Sequence, residues 1–129
     1  MLEGIAPMAR LSRILVVEDE VLLLLDLIDN LALRGFDVVP VSTARDAVSL
    51  LATEIDALIT DIELPGAYDG LQLARLAAGQ RPGLPIVVVS GGVRPSEDQL
   101  PTGATFFPKP YRITDIIAAL EHRGNTLAA

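Results

Sequence analysis

The feature that most restricts this chain is a set of short runs that stay apolar along their length. Arg13 to Val17, Phe36 to Val41, Ala57 to Thr60 and Pro85 to Ser90 each hold consecutive β-branched or aliphatic residues. A strand with one wet face alternates apolar and polar residues. Strands without that alternation are covered on both faces, as in parallel sheets. Longer segments with helix start and stop signals separate the runs. Strand and helix in alternation predict an α/β domain, with a parallel sheet between two helical layers and right-handed crossovers. At 129 residues the chain has room for one such core and not two.

Met1 to Arg10 has no clear period, so 1–11 are expected to form an N-terminal tail. Glu18-Asp19-Glu20 follows the first strand and begins a helix, where negative charge suits the N-terminus. That helix is expected to run to about Arg34 and stop at Gly35. Ser42 or Thr43 caps a second helix through about Thr53. Asp69 caps a third, Gly70 to about Gln80, closed by Arg81-Pro82-Gly83. Ala104 to Phe107 makes a short fifth strand, and a last helix spans Thr114 to about Arg123. The remainder, 124–129, reads as a C-terminal tail, which leaves 12–123 as the domain. Gly91 to Gly103 breaks the regularity with Gly91, Gly92, Pro95, Pro101 and Gly103. A full helix there is disfavoured, so at most a short turn is expected around Ser96 to Leu100 and the fourth helix is reduced or missing.

Bulk properties remove several classes of function. A formal net charge of −7 argues against a nucleic-acid partner, and the absence of Cys removes disulfides and thiolate metal sites. The longest apolar run, Val21 to Leu25, is far too short to span a membrane. Met1 to Ala9 lacks the apolar core of a signal peptide, which makes a cytoplasmic location the default expectation.

The strand ends carry polar groups. The first strand ends on Glu18 and Asp19, the third on Asp61, and the fourth on Ser90. The fifth is followed by Lys109-Pro110. In a parallel sheet these ends share one edge, where open α/β sheets place their ligands. Three crowded carboxylates repel one another unless a cation joins them. All-oxygen ligands favour Mg²⁺, or Mn²⁺, over zinc. A carboxylate attacking a phosphoryl group faces like-charge repulsion, which a bridging cation, the Lys109 ammonium and the Ser90 hydroxyl would relieve. The product would be an aspartyl phosphate.

With Glu18-Asp19, Asp61, Leu64-Pro65, Asp69-Gly70, Ser90-Gly91 and Lys109-Pro110 in this order, the sequence resembles the receiver domain of two-component response regulators. The likeness spans about Ser12 to Arg123. It implies a flavodoxin-like, doubly wound five-stranded parallel sheet of order 2-1-3-4-5. It implies Asp61 as phosphoacceptor, Asp19 and Glu18 as Mg²⁺ ligands, and the Glu63 backbone carbonyl as a further ligand. Lys109 and Ser90 would contact the phosphoryl group, with Ser90 as switch hydroxyl and Phe106 as switch aromatic. A cis Lys109-Pro110 peptide is part of the likeness. The loop after Asp61 is one residue longer than in the common receiver, and the interval from Ser90 to Lys109 is shorter. That variant is similar to the single-domain regulators of alphaproteobacteria. It implies a stand-alone signalling receiver rather than an enzyme in the usual sense.

The implied partner is a sensor histidine kinase or a histidine phosphotransfer protein, with signalling through phosphorylation-dependent protein binding. Two other functions compete. One is a pseudo-receiver that binds protein without phosphorylation; the set Asp19, Asp61, Ser90 and Lys109 argues against it. The other is an Asp-nucleophile phosphatase. Such enzymes carry a second Asp two residues on, where this chain has Glu63. The sole His, His122, is expected on the exposed last helix and not as a phosphodonor. The first helix holds more leucines than one core stripe requires. Leu23, Leu27 and Leu31 are expected to face the sheet. Leu24, Leu25 and Ile28 are expected at a kinase interface or in a homodimer through this helix, against the alternative of a wider buried stripe.

Overall fold

The computed structural model describes residues 11–128, with side chains as far as His122. The tail expected at 1–11 lies almost wholly outside the described residues. The elements in chain order are β1 (Arg13–Val17), α1 (Val21–Leu33), β2 (Asp37–Val41), α2 (Ala44–Val48), β3 (Ala57–Asp61), α3 (Gly70–Gln80), β4 (Ile86–Ser90), β5 (Ala104–Pro108) and α4 (Ile113–Ala128). A single 3₁₀ turn, Glu97–Gln99, stands between β4 and β5, where the glycines and prolines disfavour a full helix. The five strands form one parallel sheet of order β2-β1-β3-β4-β5.

The continuous apolar runs serve two cores at once. Successive strand side chains point to opposite faces. Leu15, Val17, Leu58, Ile86 and Val88 pack on one face with Ala47 and Leu51 of the α2 region and Leu73, Ala74 and Ala77 of α3. Ile14, Val16, Ile59, Val87 and Val89 pack on the other with Leu27 and Leu31 of α1 and Ile116 and Leu120 of α4. Every residue of β3 and β4 is buried. A polar group at the end of either strand is therefore held by packing on both faces and by a neighbouring strand on each side.

The helix signals act where expected. Gly35 takes φ 89°, a conformation costly for residues with a Cβ, just past the end of α1. Thr43 Oγ1 accepts the Asp46 amide at 3.1 Å and caps α2. Asp69 and Gln72 cap α3 reciprocally. Asp69 Oδ1 accepts the Gln72 amide at 2.9 Å, and Gln72 Oε1 accepts the Asp69 amide at 2.8 Å.

Two boundaries differ from expectation. The second helix ends at Val48, well before Thr53. Beyond it the chain winds in tighter turns, with the Leu51 amide on the Val48 carbonyl and the Thr53 amide on that of Leu50. A distant side chain holds this stretch. The Arg81 guanidinium donates to the carbonyls of Leu51, Thr53 and Ile55 at 3.1, 3.3 and 2.9 Å, and so satisfies carbonyls that the helix end leaves open. The last helix continues to Ala128, past Arg123, through the segment expected to be a tail. One Gly, at 124, costs a helix about 1 kcal/mol and does not by itself stop it.

Candidate functional site

The sheet register carries the strand ends to one edge. Asp61 is the last residue of β3 and pairs with Val89, next to Ser90. Ser90 pairs with Pro108, and Lys109 follows directly. Val17 pairs with Thr60, so Glu18 and Asp19 emerge beside Asp61.

At the centre is a lysine between two buried carboxylates. Lys109 Nζ donates to Asp61 Oδ2 at 2.7 Å and to Glu18 Oε1 at 2.9 Å. The two carboxylate side chains are only 3% and 1% exposed, so neither charge is left to water. Asp61 Oδ1 accepts the Glu63 amide at 3.1 Å, and Glu18 Oε2 accepts the Glu20 amide at 3.1 Å. Burial of Lys109 works against its positive charge. The hydrogen bonds it donates to Asp61 and Glu18, and their charges, outweigh that and raise its pKa above the usual lysine value. Glu18 is pulled both ways. Its burial raises the pKa, the Lys109 and Glu20 hydrogen bonds lower it, and the balance stays raised. A lysine donating to two carboxylates at these distances is charged, so we read Lys109 as the ammonium.

Asp19 completes the cluster from an exposed position. Carboxylate oxygens of Glu18, Asp19 and Asp61 all lie within 4.8 Å of one another. Three carboxylates against one ammonium leave an excess of negative charge at hard oxygen donors. That donor set suits Mg²⁺ or Mn²⁺.

Residues 14–121 match the family described as Response regulator receiver domain. The chain belongs to the response regulator receiver family. It is 33% identical over 114 residues to the response regulator protein FleR of Pseudomonas aeruginosa, a match that covers 83% of this chain and 24% of FleR. It is 31% identical over 112 residues to the response regulator MprA of Mycolicibacterium vanbaalenii, covering 84% of this chain and 48% of MprA. The chain thus spans about half or less of the curated relatives it matches. Among solved structures, a response regulator receiver protein from Sinorhizobium medicae superposes with a TM-score of 0.81. It is 31% identical and covers 90% of this chain and 96% of that one. Receivers act in two-component signalling, and the acidic pocket of the family binds Mg²⁺.

The other expected site residues fall around this receiver's centre. Ser90 is buried at the end of β4, and its hydroxyl donates to Glu63 Oε1 at 2.8 Å rather than into the acidic cluster. Phe106 is half-buried on β5 and packs against the core on the α2–α3 side. The Lys109-Pro110 peptide is cis. On α1, Leu27 and Leu31 are buried as expected, while Leu23 is half-buried. Of the three residues expected at an interface, Leu25 is exposed. Leu24 and Ile28 are half-buried, and Leu24 packs against the cluster that holds Ile116 and Leu120 of α4. Helical neighbours lie three as well as four residues apart, which draws Leu24 to the side of Leu27 and Ile28 to that of Leu31. The exposed apolar residues of this helix are Val21, Leu22 and Leu25, with Leu33 at the far end.

Sequence reasoning missed three contributors. Thr60 is buried, and its hydroxyl donates to the Asp61 carbonyl at 2.9 Å. Gly70 opens α3 so close to Asp61 that a Cβ there would stand 1.7 Å from the Asp61 carbonyl oxygen. The Glu63 side chain accepts from Ser90 and, at 3.1 Å, from the Gly92 amide. The Ser90 hydrogen bond, then that of Gly92, hold the Glu63 carboxyl below the ordinary glutamate range. The pair Asp69-Gly70 is a signal for the second of these; nothing in the spacing of Glu63 from Gly92 announces the third.

Proposed function

We propose that this receiver accepts a phosphoryl group on Asp61 from the phospho-histidine of a sensor kinase or phosphotransfer protein. The observation that carries this reading is Asp61 itself, a buried strand-end carboxylate bound to Lys109 at 2.7 Å with Glu18 and Asp19 alongside. An Asp61 carboxylate oxygen attacks phosphorus, an O–P bond forms and the P–N bond to histidine breaks. The bonding pair leaves with the imidazole nitrogen. Lys109 holds Asp61 in place, and its ammonium lies within reach of the incoming phosphoryl oxygens, where it offsets their charge. The Glu63 amide fixes the other Asp61 oxygen, so the nucleophile is oriented before the donor arrives.

Glu18, Asp19 and Asp61 would hold a Mg²⁺ ion together with the Glu63 backbone carbonyl. Such an ion would supply positive charge that offsets the repulsion between the carboxylate and the phosphoryl group. Ser90 would donate its hydroxyl to a phosphoryl oxygen, and Phe106 would move with it as the second half of the switch. The output is phosphorylation-dependent protein binding. The exposed strip on α1 would meet the kinase or a second receiver. Among the described residues no helix is long and apolar enough to cross a membrane.

The test is acetyl phosphate with Mg²⁺ followed by intact mass. Wild type should gain one phosphoryl group, and Asp61→Asn should gain none while keeping its fold. A mass gain that persists in Asp61→Asn refutes the assignment. No gain in wild type favours a pseudo-receiver.

A further inference from the structure

Ser90 has one hydroxyl proton, and here it is committed. Its Oγ donates to Glu63 Oε1 at 2.8 Å. The same Glu63 oxygen accepts the Gly92 amide at 3.1 Å. Ser90 Oγ in turn accepts the Val93 amide at 2.9 Å. One carboxylate thus ties the end of β4 to the first turn of the loop that follows. Gly92 makes the fit, because a Cβ there would crowd Glu63 Oε2 at 3.3 Å.

A serine hydroxyl donates one hydrogen bond. Ser90 therefore cannot donate to Glu63 and to a phosphoryl oxygen on Asp61 at the same time. We propose that the Glu63 side chain is a latch on the switch. It is a positioning residue that holds Ser90 and the Gly91-Gly92 turn in the resting arrangement, and phosphorylation must displace it. The inference rests on the assignment of Asp61 as phosphoacceptor and Ser90 as switch hydroxyl. The displacement has a physical driver. A phosphoryl group brings nearly two negative charges and strong acceptor oxygens. It competes for the Ser90 proton and repels the Glu63 carboxylate. The latch belongs to the side chain alone, so it can be removed while the Glu63 backbone carbonyl stays.

The experiment compares wild type with Glu63→Ala, Glu63→Gln, Ser90→Ala and the double variant Glu63→Ala/Ser90→Ala. Amide hydrogen exchange at Gly92 and Val93 is measured first, without any phosphoryl donor. Beryllofluoride with Mg²⁺ is then titrated as the phosphoryl analogue, and the midpoint is read from the resonances of the same amides. Glu63→Ala should speed exchange at Gly92 roughly tenfold and lower the midpoint roughly fivefold. Glu63→Gln keeps an acceptor oxygen and should stay nearer to wild type in both. In the Ser90→Ala background the effect of Glu63→Ala on the midpoint should shrink below about twofold, since the partners share one interaction.

Unchanged exchange, or an unchanged or raised midpoint in Glu63→Ala, overturns the latch. Equal midpoints in Glu63→Ala and Glu63→Gln also overturn it, because charge alone would then account for the shift. Full additivity with Ser90→Ala overturns it as well. Wild type that binds no beryllofluoride refutes the phosphoacceptor assignment, and the latch as a brake on switching falls with it. The exchange measurement needs no ligand and so tells the two failures apart.

Discussion

Gly70→Ala and Gly79→Ala place the same substitution on the same helix and should move stability in opposite directions. At Gly70 the new Cβ would lie 1.7 Å from the Asp61 carbonyl oxygen, 2.6 Å from its carbon and 2.8 Å from the Ile62 Cα. All three are backbone atoms at the end of the central strand, so no side chain can rotate away. Van der Waals contact for such pairs begins near ~3.4 Å, and the start of α3 must retreat by well over an ångström. Overpacking of this kind costs typically about 1–3 kcal/mol, and rigid neighbours put it at the upper end. The gain in helix propensity opposes this by at most about 1 kcal/mol, and by less in the first turn. The steric cost wins, for a net loss of about 2 kcal/mol or more. At Gly79 nothing lies within 4 Å of the added Cβ, so only the propensity gain of about 0.5–1 kcal/mol remains. Urea unfolding followed by circular dichroism reads both. Thermal midpoints should fall by roughly 8 °C or more in Gly70→Ala and rise by a few degrees, about 2–4 °C, in Gly79→Ala. Gly70→Ala should also slow phosphoryl uptake, because the displaced backbone is that of Asp61. A Gly70→Ala protein that unfolds with the wild-type midpoint would refute the close approach on which this reasoning depends.

Asp19→Asn removes a hard anionic ligand and should weaken Mg²⁺ binding by about tenfold or more in a titration; unchanged affinity would count against the metal role. Leu25→Glu sits on an exposed face of α1 and should change stability by no more than about 0.5 kcal/mol. It should still impair phosphotransfer from the partner kinase or dissociate a dimer, while acetyl phosphate continues to modify Asp61. Normal transfer and association in this variant would remove the interface. Burial pushes the Tyr111 phenol up to about 12, so the fold favours its neutral form. That contribution is fully present below the unfolded value near ~10 and is lost as pH rises toward the folded value, because the unfolded chain releases the proton first. Comparing urea midpoints at about pH 9 and about pH 11.5, Tyr111→Phe should lose less stability than wild type; equal losses would show that Tyr111 carries none of the alkaline slope.

The sheet was legible because its signal is local. A run apolar on both parities has one solution, a strand buried on both faces, and the two cores take alternate residues of the same runs. The helix caps were legible for the same reason, since Asp69 and Gln72 act within one turn. The length of α2 was not legible. The turns beyond its end are held by Arg81, which binds carbonyls 26 to 30 residues earlier in the chain, and no local pattern encodes that contact. The outward face of α1 was only half legible. A four-residue leucine spacing locates the middle of the buried stripe but not its edges, which packing against α4 decides.

The acidic cluster and Lys109 were legible for a topological reason. Each sits at a strand end, and a parallel sheet gathers all such ends on one edge whatever the intervening helices do. The Glu63 latch differs in kind. Its carboxylate reaches a hydroxyl 27 residues and an amide 29 residues further on, across a loop whose path no periodicity specifies. The sequence pattern therefore identifies the groups gathered at the strand ends more readily than the groups that restrain them. Chemistry requires particular residue types at places the sheet dictates. Restraint requires only an acceptor of the right reach, and Glu63, two residues past Asp61, meets that requirement through side-chain geometry alone. In this receiver the residue whose backbone amide bonds Asp61 Oδ1 also accepts the Ser90 hydroxyl through its side chain. Asp61 and its restraint thus share one short loop, so a charge added at Asp61 would act on Ser90 both directly and through Glu63.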